Sequence, residues 1–211
     1  LLMAILASKI CGLKIEKEFK KIHKIKSIEG RIQLIRTLPN QSKIFVDYAH
    51  TPEALENAIL SLREHFKKKI TVIFGCGGER DIKKRILMGQ VAKKYCDKIY
   101  ITDDNPRFED PKKIRSQIKK GLEGSSFKEI GNRKKAITLA LKNSSPKDVI
   151  LIAGKGHENY QDLGKKRIFL SDKNIVKNFK PPKSSYNKNI NILKFNSTIL
   201  KKVLNSKKNY F

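Results

Sequence analysis

Apolar and polar residues alternate along this chain in a way that predicts strands and helices in turn. Lys43-Ile-Phe-Val-Asp-Tyr-Ala49, Ile70-Thr-Val-Ile-Phe74, Lys98-Ile-Tyr-Ile-Thr102 and Asp148-Val-Ile-Leu-Ile-Ala153 are short runs dominated by β-branched and aromatic residues. That is the character of parallel strands buried on both faces. Between them, apolar residues recur at helical spacing. Thr51 caps and Pro52 opens a helix running through Leu55, Ile59 and Leu62 to about Phe66, since a threonine hydroxyl satisfies a free N–H and proline needs none in the first turn. Further helices are predicted near Arg85–Tyr95, from Pro111 to about Lys120 and over Arg133–Lys142, with short strands at Ile32–Ile35, Phe127–Ile130 and Arg167–Leu170. Strands alternating with helices argue for an α/β fold: a Rossmann-like, mostly parallel sheet with helices on both faces. Right-handed crossovers would then bring every strand's carboxyl end to one rim.

The two ends depart from this pattern. Leu1 to Leu13 is apolar nearly all round and rich in helix formers, so it should be a helix buried against other elements. It is short for a membrane span and lacks a basic flank and a clear cleavage site; it reads as a helix of a larger domain, with a signal-peptide fragment as the alternative. Gly12 ends it, and Ile15 to Ile25 follow as a lysine-rich amphipathic helix. The tail from Lys180 to Phe211 carries eight lysines and no carboxylate, with a linker-like Pro181-Pro-Lys-Ser-Ser185 and a short helix at about Asn196–Leu204. Three segments result: 1–38, 39–179 and 180–211.

A net charge of +27 would by itself suggest nucleic acid or an anionic surface. The lysines, however, are spread evenly along the chain, and they outnumber the nine arginines by 38 to nine. Abundant Lys, Ile and Asn reflect an A/T-rich coding sequence at least as well, so neither nucleic acid nor a membrane is an expected partner. Cys11, Cys76 and Cys96 follow no ligand or disulfide spacing. A reducing, cytoplasmic setting fits them.

The candidate chemistry gathers where the predicted strands end. Asp47 and His50 follow the first buried strand, Arg80 and Asp81 the second, Asp104, Asn105 and Arg107 the third, and Lys155, His157 and Glu158 the fourth. Ligands of open α/β sheets bind in the crevice outside the strands' carboxyl ends, so four polar loops on one rim predict a small-molecule site. Pro106 stiffens the third loop; a solvated turn with Asp110 capping the next helix is the plainer reading of that stretch. Gly75-Cys-Gly-Gly78 matches neither GxxxxGK[ST] nor GxGxxG, and a tight turn needing positive φ would explain it equally well. Arg80 and Arg85 would suit a carboxylate or phosphate, because guanidinium offers a bidentate fork. His157 and Glu158 have no nucleophilic elbow nearby. Glu158 opposite Arg80 and Arg107 instead describes a site for an amino acid, whose ammonium and carboxylate need opposite charges.

Taken in order, Asp47-Tyr-Ala-His-Thr-Pro52, Gly75-Cys-Gly-Gly-Glu-Arg-Asp81, Asp104-Asn-Pro-Arg107 and Gly154-Lys-Gly-His-Glu158 resemble the Mur ligases, and among them the members that add meso-diaminopimelate. The resemblance runs from about Leu1 to Phe179. It implies use of ATP and Mg²⁺ to form an acyl phosphate on a UDP-N-acetylmuramoyl-dipeptide, which the incoming amine attacks. It also implies a monomer in which this domain delivers the amino acid. Arg80, Asp104, Asn105, Pro106, Arg107, Gly154 and Glu158 match positions that recognise diaminopimelate; Arg31, Asp47 and His50 match positions that contact ATP. Arg107 would discriminate against lysine, which lacks the second carboxylate and would leave the guanidinium unpaired. The phosphate loop, the magnesium carboxylates and a carbamylated lysine would lie upstream of Leu1, and no metal ligand or catalytic residue is assigned here. Residues from Leu1 to about Lys26 match the last helices of the central ATPase domain, so the chain by itself is expected to be inactive. Ile82-Lys-Lys-Arg-Ile86 stands where the family has a glycine and a proline. The tail lies past the family's usual end, as a basic extension or the opening of a further ligase.

Overall fold

The computed structural model describes residues 2–13 and 28–182. The expected helices over Ile15–Ile25 and Asn196–Leu204 lie outside them. The described residues from 28 to 179 belong to one unit, which ends at Phe179. Helix α1 (Leu2–Ile10) leaves Met3, Leu6 and Ile10 exposed. The sequence predicts a buried helix there, but no other described element covers its apolar face.

Among the described residues eight strands follow in chain order: β1 (Gln33–Thr37), β2 (Lys43–Asp47), β3 (Ile70–Phe74), β4 (Lys98–Ile101), β5 (Lys128–Glu129), β6 (Val149–Ala153), β7 (Tyr160–Asp162) and β8 (Arg167–Phe169). The first six form one sheet in the order β1-β2-β6-β3-β4-β5. Strands β2 to β6 are mutually parallel. The residues of β3 and β6 are buried throughout, as continuous apolar runs require at the centre of a sheet covered on both faces. Between the strands run α2 (Pro52–Phe66), α3 (Lys83–Tyr95), α4 (Pro111–Lys120) and α5 (Arg133–Lys142), and α6 (Asp172–Lys177) follows β8. From β2 to β5 the chain steps one way across the sheet, and β6 then returns to lie between β2 and β3. Right-handed connections put opposite steps on opposite faces. Accordingly Ile59, Met88 and Ile118 of α2, α3 and α4 pack in one core, and Ile137 and Leu141 of α5 with Val176 of α6 pack in the other.

Two strands differ from expectation. Strand β1 is antiparallel to β2, so its amino end, not its carboxyl end, meets the ligand rim. It also joins the segment before residue 38 to the main sheet. Arg167–Phe169 does not extend that sheet but forms a hairpin with β7, which pairs with it antiparallel. Tyr160-Gln-Asp162 is too short and polar to announce a strand by periodicity.

One buried ion pair joins two helices of the same layer, α5 and α6, to the end of β6. Arg133 and Asp172 have no exposed surface; Arg133 Nε and Nη2 donate to the two Asp172 oxygens at 2.8 and 2.7 Å, and Nη2 also donates to Ala153 O at 2.9 Å. Removing one partner of such a pair strands a buried charge. Asp172→Ala is therefore expected to lower stability by about 3–5 kcal/mol, read from the midpoint of urea unfolding.

Candidate functional site

A cavity of about 500 Å³ opens at the carboxyl ends of β2, β3, β4 and β6, where all four polar loops meet. This is the place where the strand order reverses, and a crevice there follows from connections leaving neighbouring strands on opposite faces. Arg80, Asp104, Asn105, Arg107, Gly154, Glu158 and His50 line it. Pro106, Arg31 and Asp47 are not among its lining residues.

The loop after β3 and the loop after β4 are pressed against each other backbone to backbone. Gly78 N donates to Asn105 O at 2.9 Å, and a Cβ on Gly78 would stand 1.9 Å from Pro106 O. Close approach, rather than the positive φ expected for this glycine run, is what excludes side chains here. Arg85 does not face a ligand: it is fully buried, donating to both Glu109 oxygens at 2.6 and 2.7 Å, to Gln117 Oε1 and to Gly77 O. It straps the glycine loop to the residue two positions past Arg107. Asp110 caps α4 through Lys112 N, as the plainer reading of that stretch has it. Asp103 is turned away and paired with Arg115.

Arg107 adopts a left-handed backbone, φ 52°, and its Nη1 donates to Gly78 O at 2.8 Å. Arg80, on the same loop as Gly78, is exposed. A Cβ placed on Gly77 would be 3.0 Å from Arg107 Nη1 and 3.7 Å from Arg80 Cγ, so both arginines flank one residue. In the same cavity, Glu158 is not free as the sequence suggests. Its Oε2 accepts from Lys155 Nζ and from Asn105 Nδ2, each at 3.0 Å. Lys155 has no exposed surface and also donates to Asn105 Oδ1 at 2.9 Å. Sequence reasoning placed Lys155 on the rim without a role, and its burial leaves no trace in composition or spacing.

Gly154, φ +114°, gives the β6 loop its turn, and a Cβ there would lie 2.5 Å from Asp104 Oδ2. Asp104 is buried beside it, and burial pushes its carboxyl above the ordinary range, a rise opposed by Arg133 and Lys155. The Cys76 thiol is pushed up to about 12 by burial, which leaves it protonated and unreactive.

Of the residues expected near a nucleotide, His50 lines the cavity, and Arg31 and Asp47 lie outside its lining. Both Asp47 oxygens are taken by backbone, Oδ2 by Ile32 N at 2.6 Å and Oδ1 by Ala49 N at 2.7 Å. Asp47 thus fixes the entry to β1 instead of presenting a free carboxylate. Arg31, one residue earlier, is exposed and lies over the Tyr48 ring at 5.0 Å, with His50 and His157 against the same ring at 4.8 and 5.4 Å. His50 Nδ1 stands 2.8 Å from Tyr48 O. A carbonyl can only accept, so Nδ1 carries the hydrogen and Nε2 is left as an acceptor.

A family model described as Mur ligase, glutamate ligase domain, matches residues 30–156. The chain belongs to the Mur ligase family. The UDP-N-acetylmuramoyl-L-alanyl-D-glutamate–2,6-diaminopimelate ligase of Rickettsia typhi is 44% identical over 181 residues, covering 85% of this chain and 36% of that protein. The enzyme of that name numbered 1 in Clostridium acetobutylicum is 41% identical over 169 residues, covering 80% of this chain and 35% of its own length. A solved structure of a diaminopimelate ligase of the same name superposes with a TM-score of 0.67 at 36% identity, covering 84% of this chain and 36% of that one. A UDP-N-acetylmuramate-alanine ligase from Thermotoga maritima shares the fold, with a TM-score of 0.55 at 19% identity, covering 72% of this chain and 32% of that one. The chain thus spans about a third of the length of the curated relatives it matches. No described helix is long and apolar enough to cross a membrane.

The Arg85 strap has a pH signature. Its hydrogen bond holds the Glu109 carboxyl below the usual 4.5, so the stabilisation is complete above pH 4.5 and is lost as pH falls through the lower folded-state value. Glu109→Gln is expected to make the acid limb of a plot of unfolding midpoint against pH shallower, with little change in slope above pH 4.5.

Proposed function

We propose that this chain is the amino-acid-delivering portion of an ATP-dependent ligase that adds meso-diaminopimelate to UDP-N-acetylmuramoyl-L-alanyl-D-glutamate, a cytoplasmic step in making peptidoglycan. One observation carries the reading: Arg80 and Arg107 share a cavity with Glu158. A diamino diacid has two carboxylates and two ammonium groups, and this wall arrangement offers partners of both signs. Arg107 supplies a fork for a carboxylate, held in place by its bond to Gly78 O. Glu158, its Oε2 committed to Lys155 and Asn105, keeps its other oxygen for a ligand ammonium. Lysine lacks the second carboxylate and would leave one of the two guanidinium groups without its ligand partner.

When bound, ATP supplies the phosphoryl group that turns the dipeptide's γ-carboxylate into an acyl phosphate. The role of this chain is to hold the nucleophile: the ligand amine forms the new C–N bond, the C–O bond to phosphate breaks, and phosphate leaves as the amine loses its proton. The exposed Arg31 over Tyr48, with His50 Nε2 free to accept, suits the edge of a nucleotide. No phosphate loop of the GxxxxGK[ST] type occurs in the sequence. Among the described residues no cluster of three or more His, Cys, Asp or Glu is arranged for a metal ion. The magnesium requirement therefore does not fit these residues, and acyl-phosphate formation belongs to groups beyond them.

Titration calorimetry of the chain with meso-diaminopimelate and with L-lysine tests this. Tighter binding of diaminopimelate is expected; equal binding of both, or of neither by the folded chain, refutes the specificity. Arg107→Ala is expected to weaken diaminopimelate binding roughly 10- to 100-fold with the far-ultraviolet circular dichroism unchanged. Mixed with ATP, magnesium and both substrates, the chain alone is expected to release no ADP.

A further inference from the structure

The β7–β8 hairpin lies past residue 156, where the family match stops, yet it is bonded to the turn that carries the cavity's recognition groups. Gln161, itself buried, donates from Nε2 to Asp104 O at 2.6 Å. Asp162 N donates to Asn105 Oδ1 at 3.0 Å, and Arg107 N donates to Asp162 O at 3.0 Å. Three successive contacts thus fall on residues 104, 105 and 107.

Two of these contacts decide something that the turn cannot decide alone. The side-chain amide of Asn105 has two orientations of similar shape. With Asp162 N and Lys155 Nζ both donating to one atom, that atom must be the oxygen. The amide nitrogen is then forced towards Glu158 Oε2, which it meets at 3.0 Å. On the other side, a left-handed backbone at a residue with a side chain costs roughly 1–2 kcal/mol and persists only where its surroundings over-determine it. At Arg107 the bond from its N–H to Asp162 O is part of that surrounding.

The geometry points to the β7–β8 hairpin as the element that sets the selectivity of the cavity, with Gln161 and Asp162 as positioning residues that fix Arg107 and Glu158 at opposite ends of one ligand. They touch neither ligand nor reacting atoms; they act through Asn105 and the backbone of the turn. This inference rests on the reading of the cavity as a diamino-diacid site. It adds that selectivity is set from a part of the chain outside the four loops that line it.

The test is calorimetry of the 211-residue chain with meso-diaminopimelate and L-lysine, on the wild type, on Gln161→Leu and on Gly164→Ala. The first variant keeps bulk and removes the donor to Asp104 O. The second places a Cβ 2.8 Å from Phe108 Cδ1 and 2.9 Å from Arg107 O, pushing the hairpin off the turn; it carries the test should Gln161→Leu fail to fold. Expected is a loss of about tenfold in affinity for diaminopimelate, with a smaller loss for lysine, which has an ammonium for Glu158 but no second carboxylate for Arg107, so that the selectivity ratio falls. An equal weakening of both ligands would make the hairpin merely structural, and an unchanged ratio would remove its role; either overturns the inference. A wild type that binds neither ligand instead sinks the reading of the cavity itself, and the variants are then not needed to say so.

Discussion

The ammonium of Lys155 has no exposed surface and one carboxylate within reach, that of Glu158. A buried charge is tolerable only when paired and fully hydrogen-bonded, and here the pairing recruits Asn105 as the third corner of a triangle. Everything at the ligand wall follows from that constraint. It fixes the rotamer of Glu158, selects the orientation of the Asn105 amide, and ties the loop after β6 to the loop after β4 across the reversal in strand order. On this side the cavity is therefore bounded by two loops joined through one buried ion pair and a neutral amide.

Other buried charges in the molecule act in the same structural way. Arg85 joins the glycine loop to Glu109, and Arg133 joins the end of β6 to Asp172. Neither guanidinium faces the cavity. Both spend their donors on holding loops in register, leaving Arg80, Lys84 and Arg107 as the cations that line the cavity. A sequence rich in basic residues thus divides them by burial: the deep ones set geometry and the shallow ones line the cavity.

How much of this could be read beforehand depends on the kind of information each feature carries. The parallel strands and their helices were legible, because runs such as Ile70–Phe74 and Val149–Ala153 are buried on both sides and hydrophobicity reports burial directly. The convergence of four loops followed from topology alone. What stayed hidden were relations between distant residues of ordinary type. Nothing in Tyr160-Gln-Asp162 distinguishes a hairpin strand from a polar loop, and nothing local says that β1 runs backwards. Arg85 looks like Arg80 in the sequence, although one is buried and the other exposed. Asp47 looked like a free carboxylate, but backbone N–H groups from both sides had already claimed it.

The left-handed turn at Arg107 bears on how such a site can change hands in evolution. Its backbone is held through main-chain groups, the N–H to Asp162 O and the neighbouring Pro106 O to Glu109 N, none of which depends on which side chain sits there. The identity of the residue is consequently uncoupled from the scaffold that presents it. Asparagine and aspartate enter this conformation most readily among the non-glycine residues, and β-branched residues hardly at all. A change at this one residue would therefore alter the charge the cavity offers without rebuilding the loop, and the backbone itself restricts which replacements that route can use.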